Sequence, residues 1–169
     1  PFEILLISDP QGFTGEAYER VGNLIGAAGS VFDNGYSFII NAGDLVENSR
    51  NTTQYGYYLD VLRPYMANTT QVVAAGNHDQ YYFEMKDSYL PFVSSGSVYL
   101  DSYNYMLMNY NFSLPDQDTL SGAYYSYDYS GVHFTILNTN DSSNEGISAE
   151  QLEWIKADLA GTTKKHKVV

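Results

Sequence analysis

Three short apolar runs, each cut off by a polar motif, constrain this chain more than any other feature. Residues 2–7, 36–40 and 72–75 are followed by Ser8-Asp9-Pro10-Gln11-Gly12, Asn41-Ala42-Gly43-Asp44 and Gly76-Asn77-His78-Asp79. Apolar runs this short, bounded by Gly and Pro, read as buried strands. Stretches of helical period lie between them. Ala17, Val21, Leu24, Ile25 and Ala28 share one face of a helix predicted over residues 16–28 and stopped by Gly29. Tyr55, Tyr58, Leu59, Leu62 and Met66 do the same over residues 53–66, despite Pro64. A β-α-β-α-β order predicts parallel strands joined by right-handed crossovers. In an open α/β sheet, functional groups gather just past the carboxyl ends of the strands. Three motifs converging there would bring carboxylates, amides and a histidine to one crevice, a site suited to hard metal ions and phosphate chemistry.

The rest of the chain divides more loosely. Residues 81–122 are rich in Tyr, Ser, Asn and Asp, carry Pro91 and Pro115, and read as an insertion. Long loops over the functional edge of a sheet often set substrate choice. Residues 124–129 and 133–138 predict a hairpin turning at Ser130-Gly131. A helix is predicted over residues 148–159, with Ser148 as N-cap and Gln151 completing a capping box. Residues 164–169 begin a further strand. With no internal repeat and no linker, a single domain over residues 1–169 is expected.

Composition removes several function classes. The formal charge of −12 and pI near 4.3 argue against nucleic acid as a partner, because such binding rests on Lys and Arg. No cysteine is present, which excludes disulfides, thiolate metal sites and cysteine-nucleophile phosphatase chemistry. No apolar run is long enough to span a membrane. Seventeen tyrosines against eight Lys plus Arg point to a secreted or surface-exposed protein. The Asn-x-Ser/Thr triplets at Asn51, Asn68, Asn111 and Asn140 are what chance produces in a chain rich in Asn and Thr. A start at Pro1 with no signal peptide suggests a processed or excised piece.

Asp9-x-Gln11, Gly43-Asp44 and Gly76-Asn77-His78-Asp79, in that order, resemble the calcineurin-like metallophosphoesterases, in the branch related to purple acid phosphatases. Tyr124-Tyr125-Ser126-Tyr127-Asp128, Gly131-Val132-His133-Phe134 and Gln151-Leu152-Glu153-Trp154-Ile155 extend the match. The resemblance implies a four-layer α/β/β/α sandwich with mixed sheets, and hydrolysis of small phosphate mono- or diesters at a dinuclear centre. Asp44 would bridge two divalent or mixed-valence metal ions (Mn, Fe or Zn). Asp9 would bind one ion and Asn77 the other. His78 would donate a proton to the leaving group or stabilise its charge, and Asp79 would orient the His78 imidazole.

Two departures qualify that picture. Gln11 stands where the commonest pattern has histidine, which tilts the metal choice toward harder ions or toward contact through water. Glu47 stands where purple acid phosphatases have the tyrosine that colours them, so no purple band is expected. The family's later histidine ligands would fall beyond Val169. The site written here is therefore expected to be the amino-terminal part of a larger one, and His166, in a Lys-Lys-His-Lys cluster, does not replace them.

Each motif also has an ordinary reading. Gly-Asp after a strand is commonly a turn, Asp9 before Pro10 can cap a helix, and His133 in an alternating strand reads as a hydrogen-bonded structural histidine. Tyr55, Tyr57 and Tyr58 read as core and half-buried surface. A phosphodiesterase acting on cyclic nucleotides or glycerophosphodiesters and a decayed phosphate- or metal-binding module stand as alternatives. The sequence does not decide between them, nor does it give the oligomeric state.

Overall fold

The computed structural model describes residues 2–31, 35–49, 51–80, 124–139 and 146–169. The expected insertion at 81–122 lies outside these residues. Ten elements follow in chain order: β1 (Ile4–Ile7), α1 (Gly15–Gly29), β2 (Phe38–Asn41), α2 (Thr52–Met66), β3 (Thr70–Val73), α3 (Asn77–Gln80), β4 (Tyr125–Tyr129), β5 (Val132–Ile136), α4 (Ala149–Gly161) and β6 (His166–Val168). Strands β1, β2 and β3 form one parallel sheet in that order, with Ile7 opposite Asn41 and Asn41 opposite Val73. The second sheet is mixed, with β5 antiparallel to β4 and parallel to β6.

Alternation along the strands builds the layers. In β2, Ile39 and Asn41 turn toward the helices, where Ile39 joins a core with Tyr18 and Ile25 of α1 and Tyr55, Tyr58 and Leu62 of α2. Phe38 turns the other way and meets Tyr127, Tyr129 and Phe134 of the second sheet edge-on, at ring distances of 5.0–6.1 Å. The Tyr125 hydroxyl adds a polar tie between the sheets, donating to the Val73 carbonyl (2.7 Å) and accepting from the Val73 amide (3.2 Å). On the far face of the second sheet, Ser126, His133 and Thr135 all bond Asp158 of α4. Helix, sheet, sheet, helix is the four-layer arrangement expected from the sequence.

The buried stripe of α1 differs from the expected one. Tyr18, Gly22 and Ile25 are buried, whereas Leu24 is exposed. Small residues explain the rotation: a Cβ at Gly22 would lie 3.2 Å from Val61 Cβ, and one at Gly26 would lie 2.6 Å from the Tyr65 hydroxyl. Helix α2 therefore seats against the glycines, and Tyr65 donates to the Gly22 carbonyl at 2.9 Å. Met66, expected on the inner face of α2, is also exposed. Pro64 lies in the last turn of α2, where it forgoes the amide bond to the Asp60 carbonyl and the helix ends two residues later. Asn51 begins that helix as its N-cap, its side chain accepting from the amides of Thr53 and Gln54.

Only half of the expected capping box on α4 forms. Ser148 accepts from the Gln151 amide at 3.1 Å. The Gln151 side chain instead clasps Asn138, accepting from its amide (2.9 Å) and donating to its carbonyl (2.7 Å). That pair is fully buried, so Gln151 pins α4 to the end of β5.

Candidate functional site

The three polar motifs meet at the carboxyl edge of the first sheet because the strand ladder continues past the strands as loop-to-loop bonds. Ala42 donates to the Ile7 carbonyl (2.9 Å), Asp9 to Gly43 (3.1 Å) and Gln11 to Asp44 (3.1 Å), while Ala74 donates to Asn41 (2.8 Å). Asn41 itself is structural. Its buried amide donates to the Tyr58 hydroxyl at 2.7 Å and accepts from the Gly43 amide at 3.1 Å.

Glycine is required where the second and third motifs touch. Gly43 has φ +111°, and a Cβ there would lie 2.7 Å from the Gly76 nitrogen. A Cβ at Gly76 would lie 2.1 Å from Asp44 Oδ1 and 2.4 Å from the Asp44 nitrogen. Two backbones thus pass with no room for a side chain, and Asp44 fills the cradle that the bare Gly76 leaves. Asp9 (φ 52°) and Asp44 (φ 53°) both adopt the left-handed conformation, which Asp tolerates better than most residues.

The third motif closes the site as a short helical turn, α3, not foreseen from the sequence. Its first turn points the His78 amide at Asp44 Oδ1, 2.9 Å away. The His78 Nδ1 lies 2.8 Å from the Glu47 carbonyl oxygen. A carbonyl only accepts, so Nδ1 carries a proton in this contact. The Glu47 carboxylate stands 3.8 Å from the same Nδ1. Glu47 is therefore a functional candidate that the sequence reading registered only as a missing tyrosine.

Asp79 does not take the place expected of it. Fully buried, it spends its two oxygens on backbone amides, accepting from Leu45 (2.9 Å) and Gly76 (3.0 Å). It is a clamp between the second and third motifs, and the group orienting His78 Nδ1 is Glu47. Burial pushes the Asp79 carboxyl up to about 7, with the Asp44 charge adding to the rise and the amides of Gly76, Leu45 and Val46 opposing it.

Gln11 is half-buried; two carbonyl oxygens, those of Asp9 (3.1 Å) and Asp44 (2.9 Å), flank one end of its side-chain amide, and the hydrogen-bond pattern assigns that end as the nitrogen, since oxygen there would face only acceptors. Asp9 is exposed, Asn77 half-buried and Asp44 buried. Among the described residues no group of three or more His, Cys, Asp or Glu side chains forms a metal cage. The three motifs carry two carboxylates, Asp9 and Asp44, and the Asn77 amide, oxygen donors whose chemistry fits hard divalent ions. His133 stands apart on the second sheet and His166 on the exposed strand β6.

Comparison with known proteins agrees with this construction. The family profile described as calcineurin-like phosphoesterase matches residues 2–169. Among solved structures, a purple acid phosphatase from yellow lupin (Lupinus luteus) seeds is similar with a TM-score of 0.65 over 96% of this chain, at 15% identity. The chain spans 28% of that protein's length, and the likeness is one of fold. No curated protein sequence matches this chain. A profile running through every described element, over a crevice built from the same three motifs, leads to one conclusion: the chain belongs to the calcineurin-like phosphoesterase family.

Proposed function

We propose that this protein hydrolyses small phosphate esters at a dinuclear metal centre held by Asp9, Asp44 and Asn77, with His78 beside the scissile bond. The observation that carries this reading is the interlock of Gly43-Asp44 with Gly76-Asn77-His78. It puts a carboxylate, an amide and an imidazole on adjoining loops at one sheet edge. When bound, two such ions supply an acidified water, whose pKa falls from about 15.7 to around 7, and a clamp on the phosphoryl oxygens.

The chain's own groups supply the rest. Asp44, with one oxygen already fixed by the His78 amide, is the bridging ligand, and its position is tied to that of the histidine. As the imidazolium, with Nδ1–H held by the Glu47 carbonyl, His78 gives its Nε2 proton to the departing alkoxide and is left as the neutral ring. Residues 81–122 follow α3 directly in sequence and are the segment we assign to substrate choice, within a single domain. The tyrosine-rich, Lys- and Arg-poor composition supports a secreted or surface location. Among the described residues no helix is long and apolar enough to cross a membrane.

The test is hydrolysis of p-nitrophenyl phosphate and bis-p-nitrophenyl phosphate by a chain continued past Val169, so that the later histidine ligands are supplied, with Mn²⁺, Fe²⁺ or Zn²⁺ against chelator. Metal-dependent turnover lost in Asp44→Asn and His78→Ala establishes the reading, and the preferred ester assigns mono- or diesterase. Turnover that survives Asp44→Asn, or metal binding with no turnover on either ester, rejects it; the latter outcome favours a binding module.

A further inference from the structure

We propose that Gln11 is a positioning residue: its side-chain amide straps together the backbones of Asp9 and Asp44. Among the described residues, three non-glycine residues have positive φ, and two of them are these aspartates. Both carbonyls receive a hydrogen bond from the one Gln11 amide nitrogen, at 3.1 and 2.9 Å, and the Gln11 backbone amide adds a bond to Asp44 at 3.1 Å.

The chemistry of the side chain matches the task. A primary amide nitrogen carries two hydrogens, one for each carbonyl. A carboxylate at this place would have no donor and would set negative charge against two carbonyl dipoles. Left-handed backbone is a minor state for Asp, held only where its surroundings enforce it. The strap enforces it at both aspartates at once, which couples the geometry of the first motif to that of the second.

The metal half of this inference rests on the proposed function; the backbone half does not, and the test separates them. Gln11→Ala, Gln11→Met (similar length, no donor) and Gln11→Glu are compared with the unaltered chain. Two quantities are measured: the melting temperature in chelator, and the Mn²⁺ dissociation constant by calorimetry at 25 °C. The strap predicts that Ala and Met lower the metal-free Tm by about 3–8 °C, with Glu lower still. It also predicts Mn²⁺ affinity weakened about 10- to 100-fold in all three, as for groups that orient ligands.

A metal-free Tm unchanged by all three substitutions overturns the strap. So does tighter Mn²⁺ binding in Gln11→Glu, the mark of a direct ligand gaining charge. A lower Tm with unchanged Mn²⁺ affinity reduces Gln11 to general packing and also overturns it. If the unaltered chain, continued past Val169, binds no metal, the proposed function fails, and the metal-free Tm alone decides whether the strap stands. Should Gln11→Glu not fold, the Ala and Met variants carry both measurements.

Discussion

The backbone amide of His78 donates to Asp44 Oδ1 at 2.9 Å, so the principal candidate metal ligand and the candidate proton donor are fixed to each other by one short bond. The bond forms because Gly76 has no side chain to keep the two loops apart. Position along the chain separates these residues by 34, yet neither can move without the other.

Gly76→Ala tests this contact directly. Its Cβ would meet backbone and carboxylate atoms of Asp44 at 2.1–2.8 Å, and the loops would have to part. We expect destabilisation of about 1–3 kcal/mol and loss of metal binding. Gly131→Ala, where nothing lies within 4 Å, should stay within about 0.5 kcal/mol of the unaltered chain. Urea unfolding of both variants checks the contrast.

Asp79→Ala leaves two buried amides, those of Leu45 and Gly76, without their acceptor. An unsatisfied buried donor costs about 1–3 kcal/mol, so the substitution should be more damaging to stability than His78→Ala. Asp79→Asn keeps one acceptor oxygen and should fall between. Were Asp79 instead an orienter of His78, its loss would lower turnover and leave the unfolding midpoint in place.

His78→Ala should lower turnover about 10²- to 10⁴-fold, the usual range for general acid assistance. Glu47→Gln should cost only several-fold, because the 2.8 Å contact to His78 Nδ1 comes from the Glu47 carbonyl, which the substitution retains. Steady-state kinetics on the better aryl phosphate, with circular dichroism as a folding control, separate the two. A Glu47→Gln loss as deep as that of His78→Ala would place the Glu47 carboxylate in the chemistry.

Stability should depend on pH through the buried His133–Asp158 pair. Hydrogen bonds to Asp158 (3.0 Å) and Asp128 (2.7 Å) hold His133 above its ordinary 6.5, against burial, which works the other way. Burial raises the Asp158 carboxyl, but bonds from Ser126, His133 and Thr135 outweigh it and leave it below 3.8. A raised histidine gives stability that is complete below 6.5 and lost as pH rises through its folded value. A lowered carboxylate gives stability that is present above 3.8 and lost as pH falls through its folded value. The pair's own contribution to the Tm should therefore be constant between these limits, while Asp79, raised to about 7, makes the total fall as pH rises from 3.8 to about 7, and His133→Asn should flatten the limb above 6.5. Melting curves from pH 3 to pH 10 decide it.

Most of the architecture was legible in the sequence because hydrophobic period is a local signal. The three apolar runs gave β1 to β3, and Ser130-Gly131 gave the hairpin of β4 and β5. The layer order followed from the resemblance carried by the motifs. On α1 the expected stripe held at Ile25 and, half-buried, at Ala17, Val21 and Ala28; the exposure of Leu24 was not legible, because it depends on how closely α2 approaches Gly22 and Gly26, a property of two helices together. Helix α3 was hidden because a four-residue turn has no period to read. The divergent use of Gln151 arose in the same way, since its better partner, Asn138, is brought near only by the fold.

The sequence by itself marked the candidate groups, Asp9, Gln11, Asp44, Asn77, His78 and Asp79, each placed where a strand runs out. It did so because strand ends are marked by composition, and a carboxylate or imidazole is the same donor in any fold. The tertiary structure decided what each group does. Asp79 became a backbone clamp, Glu47 the partner of His78 and Gln11 a bridge between two carbonyls, because a hydrogen bond is settled by distances of a few tenths of an ångström across loops. Those distances are fixed by packing between elements far apart in the chain.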